Sequence, residues 1–143
     1  MDGQGRSLFF HGKGDRSFGI IELFNKHELP KYKRSGKMNK QIQTIITKTQ
    51  QGLKTLYGEQ LDKIVLFGSQ ARGDATPDSD IDILIVLKNS FNYSQESDKI
   101  SILIADLCLE YNVLISCAFT TDEQFHHHNN AFFRNIRQEG LPI

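Results

Sequence analysis

Gly68-Ser69-Gln70-Ala71-Arg72-Gly73-Asp74-Ala75-Thr76-Pro77-Asp78-Ser79-Asp80-Ile81-Asp82 is the stretch whose reading decides the fold of this 143-residue chain. It separates two apolar runs. Before it, Lys63-Ile64-Val65-Leu66-Phe67 is β-branched and aromatic and reads as a buried strand; after it, Ile81 to Leu87 reads as a second. A Gly-Ser pair closes the first run, and Asp80 and Asp82 open the next with one residue between them. That arrangement predicts a phosphate cradle at the end of one strand, facing a divalent-metal site at the start of the other.

Each half has its own physical reason. Gly68 lets backbone approach a ligand with no side chain in the way. Ser69 offers a hydroxyl where a following helix would begin, with free N–H groups and the positive end of a dipole. Alone, Gly-Ser reads as a turn with a helix cap. In a strand, side chains alternate, so Asp80 and Asp82 project to one face at a Cα separation of about 6.6 Å, while Ile81, Ile83, Ile85 and Leu87 point the other way. Paired like charges are unfavourable there unless solvent or a cation compensates them, and hard oxygen ligands suit Mg²⁺ or Mn²⁺. A polar strand end in water is the plain alternative for the pair alone; the fixed spacing from Gly-Ser and the turn Arg72-Gly73-Asp74 argue for a site. Arg72 reads as a phosphate ligand or as a surface arginine.

Gly-Ser, a ten-residue spacer and Asp-x-Asp resemble the signature of the DNA polymerase beta nucleotidyltransferase superfamily. The fuller run GSQARGDATPDSDIDILIVL resembles the minimal nucleotidyltransferases of bacteria and archaea, densely from Lys63 to Leu87 and thinly elsewhere. The ending Phe132 to Gly140, FFRNIRQEG, is similar to the endings of a subgroup of these small proteins. The resemblance implies a nucleotidyltransferase fold of the α/β (α+β) class, a small mixed sheet flanked by helices. It implies that Gly68 and Ser69 hold a nucleoside triphosphate, ATP being the expected one, with Arg72 as the candidate third nucleotide ligand. Asp80 and Asp82 would bind Mg²⁺ or Mn²⁺ and act in catalysis, and an acceptor hydroxyl on a protein or small molecule would attack the α-phosphate with loss of pyrophosphate. It further implies a role as the antitoxin of a two-gene pair whose toxin, a helical HEPN-family ribonuclease, is neutralised by complexing or by adenylylation. A catalytically silent module that keeps the fold and masks a partner protein is the alternative.

One departure bears on activity. The family usually carries a third carboxylate on a later strand beside the first two. The corresponding strand is expected at Val113 to Phe119, VLISCAF, and it contains no acid. Asn112, Glu110 and Asp122 flank it without a clear place on its face. Two-metal phosphoryl chemistry relies on carboxylates to hold the ions, so the loss would weaken a second metal or remove the general base. Metal-nucleotide binding is therefore predicted more firmly than turnover.

Composition fits one small domain able to bury a core without staples. Net charge is zero but unevenly placed: residues 1–37 hold eight Lys or Arg against four acids, and residues 38–143 hold nine against thirteen. An acidic domain lacks the broad basic surface of a free-standing nucleic-acid binder. Residues 1–37, with six of the eleven glycines and the basic run Lys31 to Arg34, read as a flexible basic extension. It is either an upstream segment foreign to the native chain, which would then start at Met38, or an arm that binds nucleic acid or a partner. Residues 38–143 would form the domain.

From Met38 the order expected is helix, strand, turn, strand, helix, strand, helix. Met38, Ile42, Ile45, Ile46, Thr49, Leu53 and Leu56 make one amphipathic stripe ending near Gly58; Ile100, Leu103, Ile104, Leu107, Cys108 and Tyr111 make another. Both read as core. Cys108 and Cys117 read as reduced core thiols, and with no secretory signal or membrane-spanning run a cytoplasmic location is expected. His126, His127 and His128 point around a helix and read as solvated surface. Arg134 and Arg137 read as a polar face over a packed one, or as a dock for a partner or nucleotide.

Overall fold

The computed structural model describes residues 38–143. The expected extension, with its basic run Lys31 to Arg34, lies outside the described residues. The elements in chain order are α1 (Lys40–Tyr57), β1 (Leu61–Phe67), the single turn α2 (Ser69–Arg72), β2 (Ile81–Leu87), α3 (Tyr93–Tyr111), β3 (Ile115–Thr121), α4 (Asp122–His127), α5 (Ala131–Glu139) and β4 (Leu141–Pro142). The strands form a four-stranded mixed sheet in the order β3-β2-β1-β4; β1 runs antiparallel to β2 and β4, and β2 runs parallel to β3 across the α3 crossover.

Local sequence accounts for most of these boundaries. Asn39, Asn92 and Asn130 cap α1, α3 and α5 by accepting from the N–H of Ile42, Gln95 and Phe133, and Thr121 with Gln124 forms a reciprocal capping box on α4. Each such cap is worth about 1 kcal/mol. Asn112 ends α3 in the left-handed conformation that asparagine tolerates. The third strand starts two residues later than its apolar run suggested, because Asn112 to Leu114 are spent turning from α3 into the sheet. A fourth strand also appears after the helix stop at Gly140. Leu141 and Pro142 pair with Leu66 and Val65, and a Cβ at position 140 would stand 2.6 Å from Val65 Cγ1.

The sheet has two unequal covers. On one face Ile64, Leu66, Ile81, Ile83, Ile85, Leu87, Ile115 and Phe119 pack under α1 and α3. Those helices lie antiparallel, joined by Leu103 over Gly52, the Tyr57 hydroxyl donating to Glu96 at 2.8 Å, and Lys48 against Glu110 at 3.4 Å. On the other face Val65, Phe67, Leu84, Val86 and Ala118 pack under Phe125 of α4 and Phe132, Phe133 and Ile136 of α5. The predicted stripe of α1 holds except at its end, where Leu56 turns outward and Tyr57 goes in. Cys108 and Cys117 are free thiols packed against the larger core. Among the described residues no helix is long and apolar enough to cross a membrane.

Candidate functional site

The site builds where β1 ends and β2 begins, at one end of the sheet. β1 stops at Phe67, which pairs with Asp82. Gly68 then takes φ 76° and ψ −156°, a conformation that side chains resist, and caps the single turn of α2. Its missing side chain matters a second time: a Cβ there would stand 2.3 Å from Asp82 Oδ2. The Asp82 carboxylate lies directly over bare backbone at Gly68, so the two halves of the motif form one surface. Gly73, at φ 89°, ends α2 in the left-handed region. The chain then returns through a tight turn in which Ser79 accepts from the Thr76 N–H at 2.8 Å and donates its own N–H to the Thr76 carbonyl at 3.0 Å.

Asp80 stands immediately before β2 and Asp82 is its second residue, both half-buried. The Asp82 carboxyl is pushed up to about 6, first by burial and then by Asp80, with Arg72 acting in the opposite direction. A carboxylate pair so placed is short of compensating charge, which is the environment a divalent cation relieves. The donors fit a hard metal: two carboxylates on one face beside backbone kept clear by glycine. Asp80 and Asp82 are the residues able to hold it.

Arg72 belongs to the same corner but is engaged. Its guanidinium meets Asp74 at 3.3 Å and Glu139 of α5 at 3.4 Å. Holding a phosphate would require exchanging one of those partners. A recess of about 390 Å³ lies against the same turn, lined by Gln70 and Gly73 of the motif, Thr76 and Pro77 of the return loop, and Met38 and Ile42 of the first helix region. A larger one of about 510 Å³, with Lys88, Glu123 and His127 among its lining residues, sits at the opposite end of β2, about 20 Å away at the usual rise of a strand.

The place of a third acid is fixed by register. Across the sheet the row through Asp82 reads Phe67, Asp82, Ser116. Paired residues share a face, so the β3 side chain next to Asp82 is the half-buried hydroxyl of Ser116. The nearby acids are elsewhere: Glu110 is exposed beside Lys48, and Asp122, at the far end of β3, meets Lys63 at 3.3 Å and His126 at 3.2 Å. Among the described residues no group of three or more His, Cys, Asp or Glu could hold a metal. Sequence reading had not singled out Ser116 or Glu139. A parallel register depends on a crossover helix and is not written in either strand alone, and only the fold brings Glu139 to Arg72.

Other candidates lie outside the site. His127 and His128 are exposed as expected, but His126 is half-buried and paired with Asp122. Arg137 is buried, contrary to the expectation of a polar face; its guanidinium donates to the Phe125 carbonyl near the end of α4. An arginine can satisfy a helix's last carbonyls in this way, and it leaves Arg137 unavailable as a dock. Arg134 donates to the Asn129 carbonyl.

Comparison with known proteins gives the chain a family. Residues 46–137 match the family described as "Nucleotidyltransferase domain". Two proteins of Methanocaldococcus jannaschii, each named a "putative protein adenylyltransferase", are similar to the chain. One is 43% identical over 96 residues, covering 64% of this chain and 86% of the relative; the other is 37% identical over 76 residues, covering 53% and 76%. A crystal structure of a "putative nucleotidyltransferase" from Sulfolobus solfataricus aligns with a TM-score of 0.45 at 24% identity, covering 63% of this chain and 81% of that one. With its family match spanning most of the domain, the chain belongs to the nucleotidyltransferase domain family.

Proposed function

We propose that this protein transfers AMP from ATP to a hydroxyl of a protein, using Mg²⁺ or Mn²⁺ held by Asp80 and Asp82. One observation carries the reading: the Asp82 carboxylate, with Asp80 close enough to raise its pKa, sits on backbone that Gly68 keeps bare, at the turn that opens with Ser69. The names of the two archaeal relatives support adenylyl transfer and a protein acceptor. When bound, the metal would neutralise phosphate charge and orient the α-phosphorus. Gly68 and Ser69 would seat the triphosphate. Arg72 would leave Asp74 or Glu139 to meet a phosphate oxygen. The acceptor oxygen forms a bond to the α-phosphorus, the bond from that phosphorus to the oxygen bridging it to the β-phosphorus breaks, pyrophosphate departs, and the hydroxyl proton passes to solvent water.

The acceptor that the family resemblance favours is a HEPN-family toxin, neutralised by adenylylation in the cytoplasm. The experiment uses ATP labelled at the α-phosphate, Mg²⁺, the full chain and a HEPN-family protein as the candidate acceptor. Label should appear on the partner and should not appear when the γ-phosphate is labelled instead. Transfer from the γ position, or none from the α position while nucleotide binds, would refute the reading.

A second reading, a silent module that masks a partner, draws on two features. The position beside Asp82 on β3 is a serine, and the outer face of α3 exposes Ile102 at 73% and Leu109 at 82%, with the exposed acids Asp98 and Asp106 one turn to either side of Ile102. Such a face suits a partner with a basic-rimmed apolar surface. A complex that forms without label transfer and survives Asp80→Ala with Asp82→Ala, but is lost on Leu109→Glu, would establish that reading.

A further inference from the structure

We propose that the recess behind the phosphate turn is where the protein acceptor docks, and that it takes an extended segment with an apolar or aromatic side chain beside a lysine or arginine. This rests on the adenylyl-transfer reading of the Asp80–Asp82 face and names the partner's chemistry at that site. The recess, about 390 Å³, has the size of a ligand site. The N-terminal end of α1, the α2 turn and the return loop wall it, with Met38, Ile42, Pro77 and Val113 as apolar surface and no charged side chain in the lining. The amides of Gln41 on α1 and Gln70 on α2 also line it, and neither side chain has a hydrogen-bond partner among the described residues. An amide offers both a donor and an acceptor, which is what every residue of an extended main chain presents. The preference for a cation comes from the mouth. Asp74 and Asp78 sit between lining residues of the return loop and are exposed; Asp74 meets Arg72 at 3.3 Å, while Asp78 has no ion-pair partner among the described residues. A lysine or arginine is attracted there and a polyphosphate is repelled. Position also separates the acceptor from the nucleotide. The seat at Gly68 and Asp82 lies on the sheet face covered by α5, whereas the recess is walled by α1 on the other side of the same turn. The lining residues Gln70, Gly73 and Ser79 each stand one residue from Ser69, Arg72 and Asp80. A hydroxyl three residues along from the anchored side chain, about 10 Å of extended chain, therefore reaches the reacting corner.

The test measures fluorescence anisotropy of two short labelled peptides with the full chain, each with a central tyrosine, flanked by lysines in one and by glutamates in the other. The lysine peptide should bind roughly ten-fold tighter, which corresponds to about 1.4 kcal/mol. Asp78→Lys should erase that preference. Gln41→Ala should weaken the lysine peptide about five-fold, the scale of one hydrogen bond. Ala75→Trp, which fills the recess with no change of charge, should abolish its binding. Neither Gln41→Ala nor Ala75→Trp should change the affinity for α,β-methylene-ATP with Mg²⁺. Equal binding of the two peptides would overturn the proposal, as would a lysine peptide that binds Ala75→Trp as well as wild type. An Ala75→Trp protein that loses the analogue and keeps the peptide would assign the recess to the nucleotide base instead. Absence of peptide binding also overturns the proposal; its recovery on combining Lys31→Ala, Lys33→Ala and Arg34→Ala would then give the recess to the chain's own basic run. If Ala75→Trp fails to fold, Gln41→Ala, an exposed change on a helix, decides. An analogue that does not bind at all refutes the nucleotidyltransferase reading itself, a result distinct from loss of the peptide alone.

Discussion

The two faces of β2 share one backbone and serve opposite ends. Ile81, Ile83, Ile85 and Leu87 lie under the long helices α1 and α3, the first three with no exposed surface. On the other face Leu84 and Val86 are covered by α4 and α5, but the face begins with Asp82, which stands half-buried over Gly68. Rigidity is supplied on one side and charge is presented on the other, with the change of role made by a single residue step. A site built this way is positioned by a core it does not touch, so damage to the two faces should be separable.

The largest effect is expected on the polar face. Asp80→Ala or Asp82→Ala should cut α-label transfer roughly a thousand-fold, about 4 kcal/mol of transition-state stabilisation, while the melting temperature holds or rises. A melting temperature lowered by several degrees would show that the carboxylates support the fold and would break the comparison. The buried face should answer in the opposite way. Ile85→Ala should lower stability by about 2–5 kcal/mol in denaturant melts, with transfer per folded molecule retained. If Ile85→Ala abolishes transfer in protein that remains folded, the faces are not independent.

Gly68→Ala tests the seam between them. The added methyl meets Asp82 Oδ2 and the backbone is held at positive φ. Strain of about 1–3 kcal/mol is expected, together with weaker binding of α,β-methylene-ATP. A variant with wild-type stability and nucleotide affinity would mean that Gly68 and Asp82 do not form one surface.

The apolar face was the legible one. Three- and four-residue spacing placed α1 and the inward side of α3, and alternation placed Ile81, Ile83, Ile85 and Leu87 opposite the acids. These patterns are local, and burial simply follows them. The Gly-Ser and Asp-x-Asp elements were visible for a similar reason, since each depends on its own few residues. What could not be read depends on partners distant in sequence. Ser116 meets Asp82 through a parallel register set by the α3 crossover; Glu139 reaches Arg72 from the last helix; β4 exists because β1 had a free edge. Arg137 and His126 looked solvated because charge is usually outside, yet α4 offers one a carbonyl and the other Asp122. Ile102 and Leu109 fall outside the inward stripe of α3 and stay exposed because no described element covers them.

The smallest effect, and the sharpest on charge, is the pH dependence of stability. Asp82 in the folded protein titrates at about 6, against an ordinary value of 3.8, because burial and Asp80 disfavour its charge. The folded state therefore holds this proton more tightly than the unfolded chain. The contribution to stability is complete at pH values below the ordinary value and is lost as pH rises through about 6. Asp82→Asn removes that loss without removing the volume. The difference in melting temperature, variant minus wild type, should be small at pH 4 and become positive by pH 7.5, by several degrees given the usual sensitivity of small domains. The remaining titrating groups are common to both proteins and cancel. Mg²⁺ with α,β-methylene-ATP at pH 7.5 should stabilise the wild type more than the variant, because only the wild type presents both carboxylates to the ion. A difference that is flat from pH 4 to 7.5 would show that Asp82 ionises as freely as a solvated carboxylate, and the polar face of β2 would then be an ordinary wet strand end.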